Sequence, residues 1–259
     1  MTPVSKPSTA ARTLYPADPA ILRASLSSLF LPTQPLVSSV NLRALIVPHD
    51  AWQYMGTISA LSYAQLSPHP NQHIVFIAPA VHSHISTLIT DTHTSWTTPL
   101  GRIRHRMMQT PTTLIQPDDR PFLKETSIDV QLPFLQYHTT TPSISSFLFP
   151  QTSTHITEIV SYFVAHFPQS IFIVCSNLSS HEMNESVIST DQTTIHSILF
   201  GDMDYFAQKH PPVTNPLGIQ FLLQLSAGCG LKPQLLTYDS TFISEEKVFR
   251  GYVGVGFVD

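Results

Sequence analysis

A chain of 259 residues accommodates one large α/β domain or two small ones, and its 42% hydrophobic content supplies a sizeable core. Charged residues make up only 12%, and a net charge of -4 without any block of like charges gives no long-range pull toward nucleic acid or an anionic membrane. Two cysteines, Cys175 and Cys229, exclude a disulfide framework and a cysteine-rich zinc site. An N-terminus without an apolar signal core, and no run of about 18 apolar residues, predict a soluble, cytoplasmic protein.

Residues 1–12 are polar and contain proline, and predict a loose N-terminal arm ahead of a single domain over 13–259. Asp18 and Pro19 then signal a helix start, aspartate as N-cap and proline in the first turn. Ile21, Leu22, Leu26 and Leu29 share one face of that helix. The run 42–47 (LRALIV) is nearly continuous in apolar residues, as in a strand covered on both faces. Helical spacing over 57–66 and a second strand over 73–77 make a strand–helix–strand unit of about 35 residues, the size of a βαβ unit.

Residues 86–89 and 103–105 read as short extended pieces on either side of a turn at 97–101. The segment 125–137 predicts a helix shortened or kinked by Pro133. A strand over 143–149 stops at Pro150, and 155–167 has the spacing of an amphipathic helix with Ile156, Ile159, Val160, Phe163 and Val164 on one face. A third buried strand covers 170–174. Helices follow over 191–200, 204–210 and 216–227, the last closed by Gly228, and strands over 234–237 and 252–257. The alternation predicts one α/β domain, a helix–sheet–helix sandwich with a central mixed sheet.

Histidines sit just past three of the apolar runs: His49, then His82 with His84, then His181. In an open parallel sheet the ligand crevice lies beyond the carboxyl ends of the strands, so residues distant in sequence meet there. Three imidazoles so placed are a candidate ligand set for a metal. Cys175 lies inside an apolar run and reads as an inert buried thiol. Asp191, His196 and Ser197 fall on a helix with no nucleophile elbow, so they do not read as a triad. His69, His73, His93, His105, His138, His155, His166 and His210 show no ligand spacing and read as surface or satisfied core residues.

Several segments, in order from about residue 11 onward, resemble the Memo family, whose bacterial and archaeal members are labelled AmmeMemoRadiSam system protein B. Tyr15-Pro16-Ala17-Asp18-Pro19 matches the family's opening YPADP, and Val47-Pro48-His49 with Tyr54 and Gly56 resembles P-H-A-G-Y-x-Y-S-G. Ala78-Pro79 followed by His82 resembles G-P-S-H, and Thr98-Pro99-Leu100-Gly101 matches T-P-L-G. The run from Glu125 to Leu135 is close to E-H-S-I-E-V-Q-L-P-F-L, the segment from Cys175 to His181 resembles S-S-D-L-S-H, and Gly251-Tyr252 falls in the family's last strand. The resemblance implies the fold of class III extradiol ring-cleaving dioxygenases, which use Fe(II). Memo proteins have no established dioxygenase activity of their own, and animal members are linked to phosphotyrosine-peptide binding and to iron or copper.

Carried over residue by residue, the family's metal positions leave His49 intact, while the next histidine lands on Val81, one residue before His82. The Asp of D-L-S-H becomes Asn177, and its His falls on Ser180, reaching His181 only with one inserted serine. Thr126 replaces the His of E-H-S, and residues 240–244 hold no cysteine where animal members carry a metal-binding one. Asp50, Ala51 and Trp52 replace Ala, Gly and Tyr after His49.

Two readings follow. In one, His49, His82 and His181 converge from flexible strand-end loops, and Glu125 or Asp50 completes a site for Fe(II), zinc or copper in an oxidoreductase or hydrolase. In the other, the ligand set has decayed and the crevice, with Trp52, Tyr54, Asn177 and Glu125 in its wall, binds a small molecule or peptide without metal, catalysis or nucleic acid. Trp52 and Tyr54 have a second reading as packing residues, and Glu125 as a charge at a helix N-terminus.

Overall fold

The computed structural model describes residues 4–33, 41–67, 71–107, 113–208 and 211–259. His69 and His210, and the end of the helix expected over 204–210, lie outside the described residues. In chain order the elements are β1 (Ser5–Lys6), α1 (Pro19–Phe30), β2 (Leu42–Val47), α2 (Trp52–Tyr63), β3 (His73–Pro79), β4 (Leu88–Thr90), β5 (Ser95–Thr98), β6 (Gly101–His105) and β7 (Ile115–Pro117). Then follow α3 (Leu132–His138), β8 (Ser143–Phe149), α4 (Ile156–His166), β9 (Ile171–Cys175), β10 (Ser180–His181), α5 (Asn184–Phe200), α6 (Met203–Phe206), α7 (Pro216–Cys229), β11 (Lys232–Ile243) and β12 (Val248–Val258). Two 3-10 turns, Pro121–Leu123 and Asp129–Gln131, precede α3.

One mixed sheet runs β1-β5-β6-β8-β3-β9-β2-β12-β10, with β11 beside β12 and β4 joining β7 to β8. Its centre, β8, β3, β9 and β2, is parallel, and β12 closes it antiparallel to β2. Because strand side chains alternate faces, Leu45, Val47, Phe76, Ala78, Ile173 and Cys175 pack toward α1, α2 and α3. Ala44, Ile46, Val75, Ile77, Phe172 and Val174 pack toward α4, α5 and α7. Both sheet faces are therefore covered, which is why these strands read as unbroken apolar runs. The α/β/α sandwich expected from the alternation of elements is the fold observed.

Local chemistry explains where elements begin and end. Asp18 caps α1 by accepting from the Ala20 and Ile21 amides. α2 starts five residues before the periodicity suggested, because Gly56 is inside the helix where a Cβ would meet Leu29 at 3.2 Å. That glycine serves the α1–α2 approach. α5 likewise starts at Asn184, with Asp191 as a buried interior residue that accepts from the Ser179 amide and the Tyr238 hydroxyl. α7 runs past Gly228 and is ended by Gly230 at φ 73, the left-handed position of a helix C-terminus. Pro133 sits in the first turn of α3, where its missing N–H costs nothing, so the segment before it forms 3-10 turns. β11 and β12 extend well beyond their apolar centres as a two-stranded ribbon, a length that polar, partly exposed residues do not announce.

The expectation of a loose arm does not hold for residues 4–12. Ser5 and Lys6 pair with Ser95 and Trp96 of β5. Asp129, fully buried, accepts from the Ser8 hydroxyl, the Thr9 amide and hydroxyl, and the Tyr15 hydroxyl. The equally buried Lys6 ammonium lies 3.6 Å from Asp129 and 4.1 Å from the centre of the Trp96 ring. Burial pulls the Lys6 pKa down, while Asp129 and Asp91 favour its charge. Polar residues hold the arm because their partners, at residues 95–97 and 129, come from far along the chain, a contact that composition does not reveal.

Asp129→Ala leaves a buried ammonium unpaired and four donors without an acceptor, and is expected to cost about 3–5 kcal/mol. Lys6→Met removes the charge and keeps the packing, and is expected to cost less than about 2 kcal/mol. Urea unfolding midpoints test this ordering; equal losses for the two variants would contradict it.

Candidate functional site

His49 follows β2 at the carboxyl edge of the parallel strands. Beyond the last backbone pairing between β2 and β9, the Asn177 side chain continues the ladder: its Oδ1 accepts from the His49 amide at 2.8 Å and its Nδ2 donates to the His49 carbonyl at 2.9 Å. Gln131 Nε2 donates to the Pro48 carbonyl at 2.8 Å. The backbone that carries the imidazole is thus held from two sides.

Both ring nitrogens have partners. Nδ1 lies 2.9 Å from Ser127 Oγ, and Nε2 lies 2.8 Å from Thr214 Oγ1. The Ser127 hydroxyl donates to Glu125 Oε1 at 2.5 Å, so its single proton is spent there and Nδ1–H is the donor to Ser127. Nε2 then carries the lone pair and accepts from the Thr214 hydroxyl, whose oxygen in turn accepts from the Asn177 amide at 2.9 Å. Glu125, nearly fully buried, also accepts from the amides of Ser127 and Val81. The result is a directed chain from Thr214 through His49 and Ser127 to Glu125. Burial lowers the His49 pKa to about 4, with Arg250 and His82 acting in the same sense and Glu125 and Asp50 against it. The ring is neutral at pH 7 and is a hydrogen-bond acceptor toward Thr214.

The other sequence candidates are spread around this centre. His82 and His181 are exposed, the first in the loop after β3 and the second on β10, where its ring is 3.4 Å from Thr190 Oγ1. β10 pairs with β12 at Phe249 and Arg250, on the edge that β2 uses further along β12, because β11 lines the other edge throughout. Trp52 is in the core, packed in tilted contact with Tyr15 and Phe134, with its Nε1 donating to the Val130 carbonyl. Tyr54 is at the rim, where its hydroxyl donates to Glu245. Asp50 accepts from Arg250 at 2.6 Å and from the Tyr252 hydroxyl at 2.9 Å, tying the β12 ribbon to the crevice. Beside the crevice, across the Gln151 side chain that donates to the Thr214 carbonyl, is a cavity of about 380 Å³ between the loops after β3 and β8. Burial, and then Glu125, push up the Cys175 thiol, which suits the inert role expected of it.

Three or more metal-capable side chains come together elsewhere. Among the described residues, the group with ligand atoms within 4.8 Å of one another is Asp91, His93 and Asp119, and His49, His82 and His181 do not form such a group. Asp91 accepts from His93 Nδ1 and from Trp96 Nε1, both at 2.5 Å, while Asp119 accepts from the Thr92 amide and hydroxyl. Their acceptor oxygens thus already serve loop donors. Short separations, D-T-H and one distant aspartate, gave no ligand spacing to read. Ser127 and Thr214 were also missed: hydroxyls are common, and only the fold places them on the two sides of one ring.

An α/β/α sandwich with a hydrogen-bonded histidine at the carboxyl ends of its parallel strands is the class of protein so defined. The chain belongs to the Memo-like protein family, whose model matches residues 6–215. It is similar to a MEMO1 family protein of Sulfolobus acidocaldarius, at 26% identity covering 96% of this chain and 98% of the relative. A MEMO1 family protein of Methanococcoides burtonii is 24% identical over 95% and 97%, and one of Methanococcus vannielii 31% identical over 60% of each chain. Among the described residues no helix is long and apolar enough to cross a membrane.

Asn177→Asp replaces the amide that donates to the His49 carbonyl with a second acceptor, and is expected to destabilise the fold by about 1–3 kcal/mol. An unfolding midpoint equal to that of the parent chain would contradict the assigned role of the amide. His73, bridged between Ser170 and Ser145, is also lowered to about 4, first by burial. The unfolded chain takes up protons on both rings below about pH 6.5, and the folded chain does not until near pH 4. Stability is therefore expected to fall as pH drops from about 6.5 toward 4, by up to a few kcal/mol in total. Imidazole NMR titration checks it: a midpoint near 6.5 for either ring would refute the assignment.

Proposed function

We propose that this Memo-family protein uses its strand-end crevice to bind a small molecule or peptide, with neutral His49 as a hydrogen-bonding centre and without a tri-histidine metal site. One observation carries the reading: hydroxyls occupy both nitrogens of His49, each hydroxyl having its own donor or acceptor behind it. A metal on Nε2 requires Thr214 to leave, and completion of the set requires two exposed histidines to move inward. The residues present do not fit such a centre in this arrangement. The neighbouring cavity of about 380 Å³ falls in the range of small-molecule sites.

A metal-dependent oxidoreductase or hydrolase using Fe(II), zinc or copper is the second reading. It is favoured by the direction of the chain, since an Nδ1–H directed through Ser127 toward a carboxylate, with the lone pair on Nε2, is how ligating histidines are usually oriented. Metal analysis of protein purified without a histidine tag separates the two. The first reading expects less than about a tenth of an equivalent of iron, zinc or copper. A full equivalent that disappears in His49→Asn would replace it with the second.

A further inference from the structure

A cavity of about 1020 Å³ lies at the edge of the sheet opposite His49. It opens where β3, β8 and β9 begin, beside the end of β6, so the seven residues of β3 put roughly 20 Å between it and the crevice. Arg104 and Arg106 line it, with His73, Ser145 and Ser170, and no aspartate or glutamate is in its described lining. In a chain with more acidic than basic residues, a wall with two arginines and no acidic side chain of its own favours an anionic ligand, although Asp91 and Asp119 lie near enough to act on His105.

The two arginines are placed by strand geometry. Ile103 and His105 point inward, so Arg104 and Arg106 project to the solvent face. Neither guanidinium forms an ion pair among the described residues, unlike Arg120 with Asp118 or Arg250 with Asp50 and Glu246. Two residues along a strand separate them by roughly 7 Å at the backbone, close enough to grip neighbouring anionic groups of one ligand. His73 is already satisfied by two serine hydroxyls, so the positive charge is that of the arginines. Gln72 Oε1, in the same wall, is a buried acceptor with no hydrogen-bond partner among the described residues. Turning that amide toward the cavity offers it to a hydroxyl.

We propose that this cavity is a second binding site, independent of the crevice, for a phosphorylated small molecule of nucleotide size carrying at least two phosphate charges. Guanidinium forks match phosphate oxygens in pairs, and the serine, asparagine and glutamine groups of the wall suit the hydroxyls of a sugar.

Calorimetric titration of the full chain at low salt with inorganic pyrophosphate and with ADP tests the proposal. Binding of at least one probe with a Kd below about 1 mM is expected. Arg104→Ala and Arg106→Ala should each weaken it by about tenfold or more, while Arg102→Ala, on the same strand but outside the lining, should leave it within about twofold. His49→Asn should also leave it unchanged, which separates this site from the crevice. Circular dichroism melts confirm that the variants are folded. Tighter binding of ADP identifies the nucleoside as part of the ligand, whereas equal binding confines recognition to the diphosphate. No heat with either probe, or binding that survives the double arginine variant, overturns the proposal.

Discussion

The crevice depends on one side-chain amide. Where β2 and β9 separate, their backbone groups would be left without ladder partners, and Asn177 supplies both the missing acceptor and the missing donor to His49. The backbone amide of Asn177 then fixes the Thr214 hydroxyl, and its carbonyl accepts from the Thr214 amide. A carboxylate at this position has no proton to give the His49 carbonyl. The amide therefore suits a site in which hydrogen bonds do the positioning.

From that anchor the electrostatics follow. Glu125 is buried but receives three donors, so its charge is spread into the Ser127 hydroxyl and the amides of Ser127 and Val81. The imidazole is separated from that charge by a hydroxyl and stays neutral because desolvation outweighs the carboxylate's pull. The same logic recurs at Asp129, where buried polar groups from the arm converge on one carboxylate. Among the described residues the buried carboxylates Asp91, Asp129 and Asp191 are, like Glu125, each met by donors, as a low-dielectric interior requires.

The two edges of the sheet differ in kind. The carboxyl edge is knit by internal hydrogen bonds and closed by the β11–β12 ribbon through Asp50, Arg250 and Tyr252. The amino edge has a larger opening lined by Arg104 and Arg106, which form no ion pair among the described residues. Sheet topology separates them, since parallel strands send all their carboxyl ends one way and all their amino ends the other.

Sequence alone determined the architecture and that His49 stands at a strand end. Hydrophobic runs such as 42–47 and 143–149 mark buried strands because burial on both faces permits no polar alternation, and His49 follows the first of them directly. The bounds of α2, α5 and the final ribbon were less legible, because Gly56, Asp191 and the polar stretch of β11 are explained by neighbours distant in the chain. Only the tertiary structure decided what surrounds His49. Ser127, Thr214 and Asn177 are ordinary loop residues in sequence, and a hydrogen bond of 2.8 Å between residues 165 positions apart is a property of the fold. For the same reason the arm that reads as loose is held, and the histidines that read as convergent do not form a ligand group.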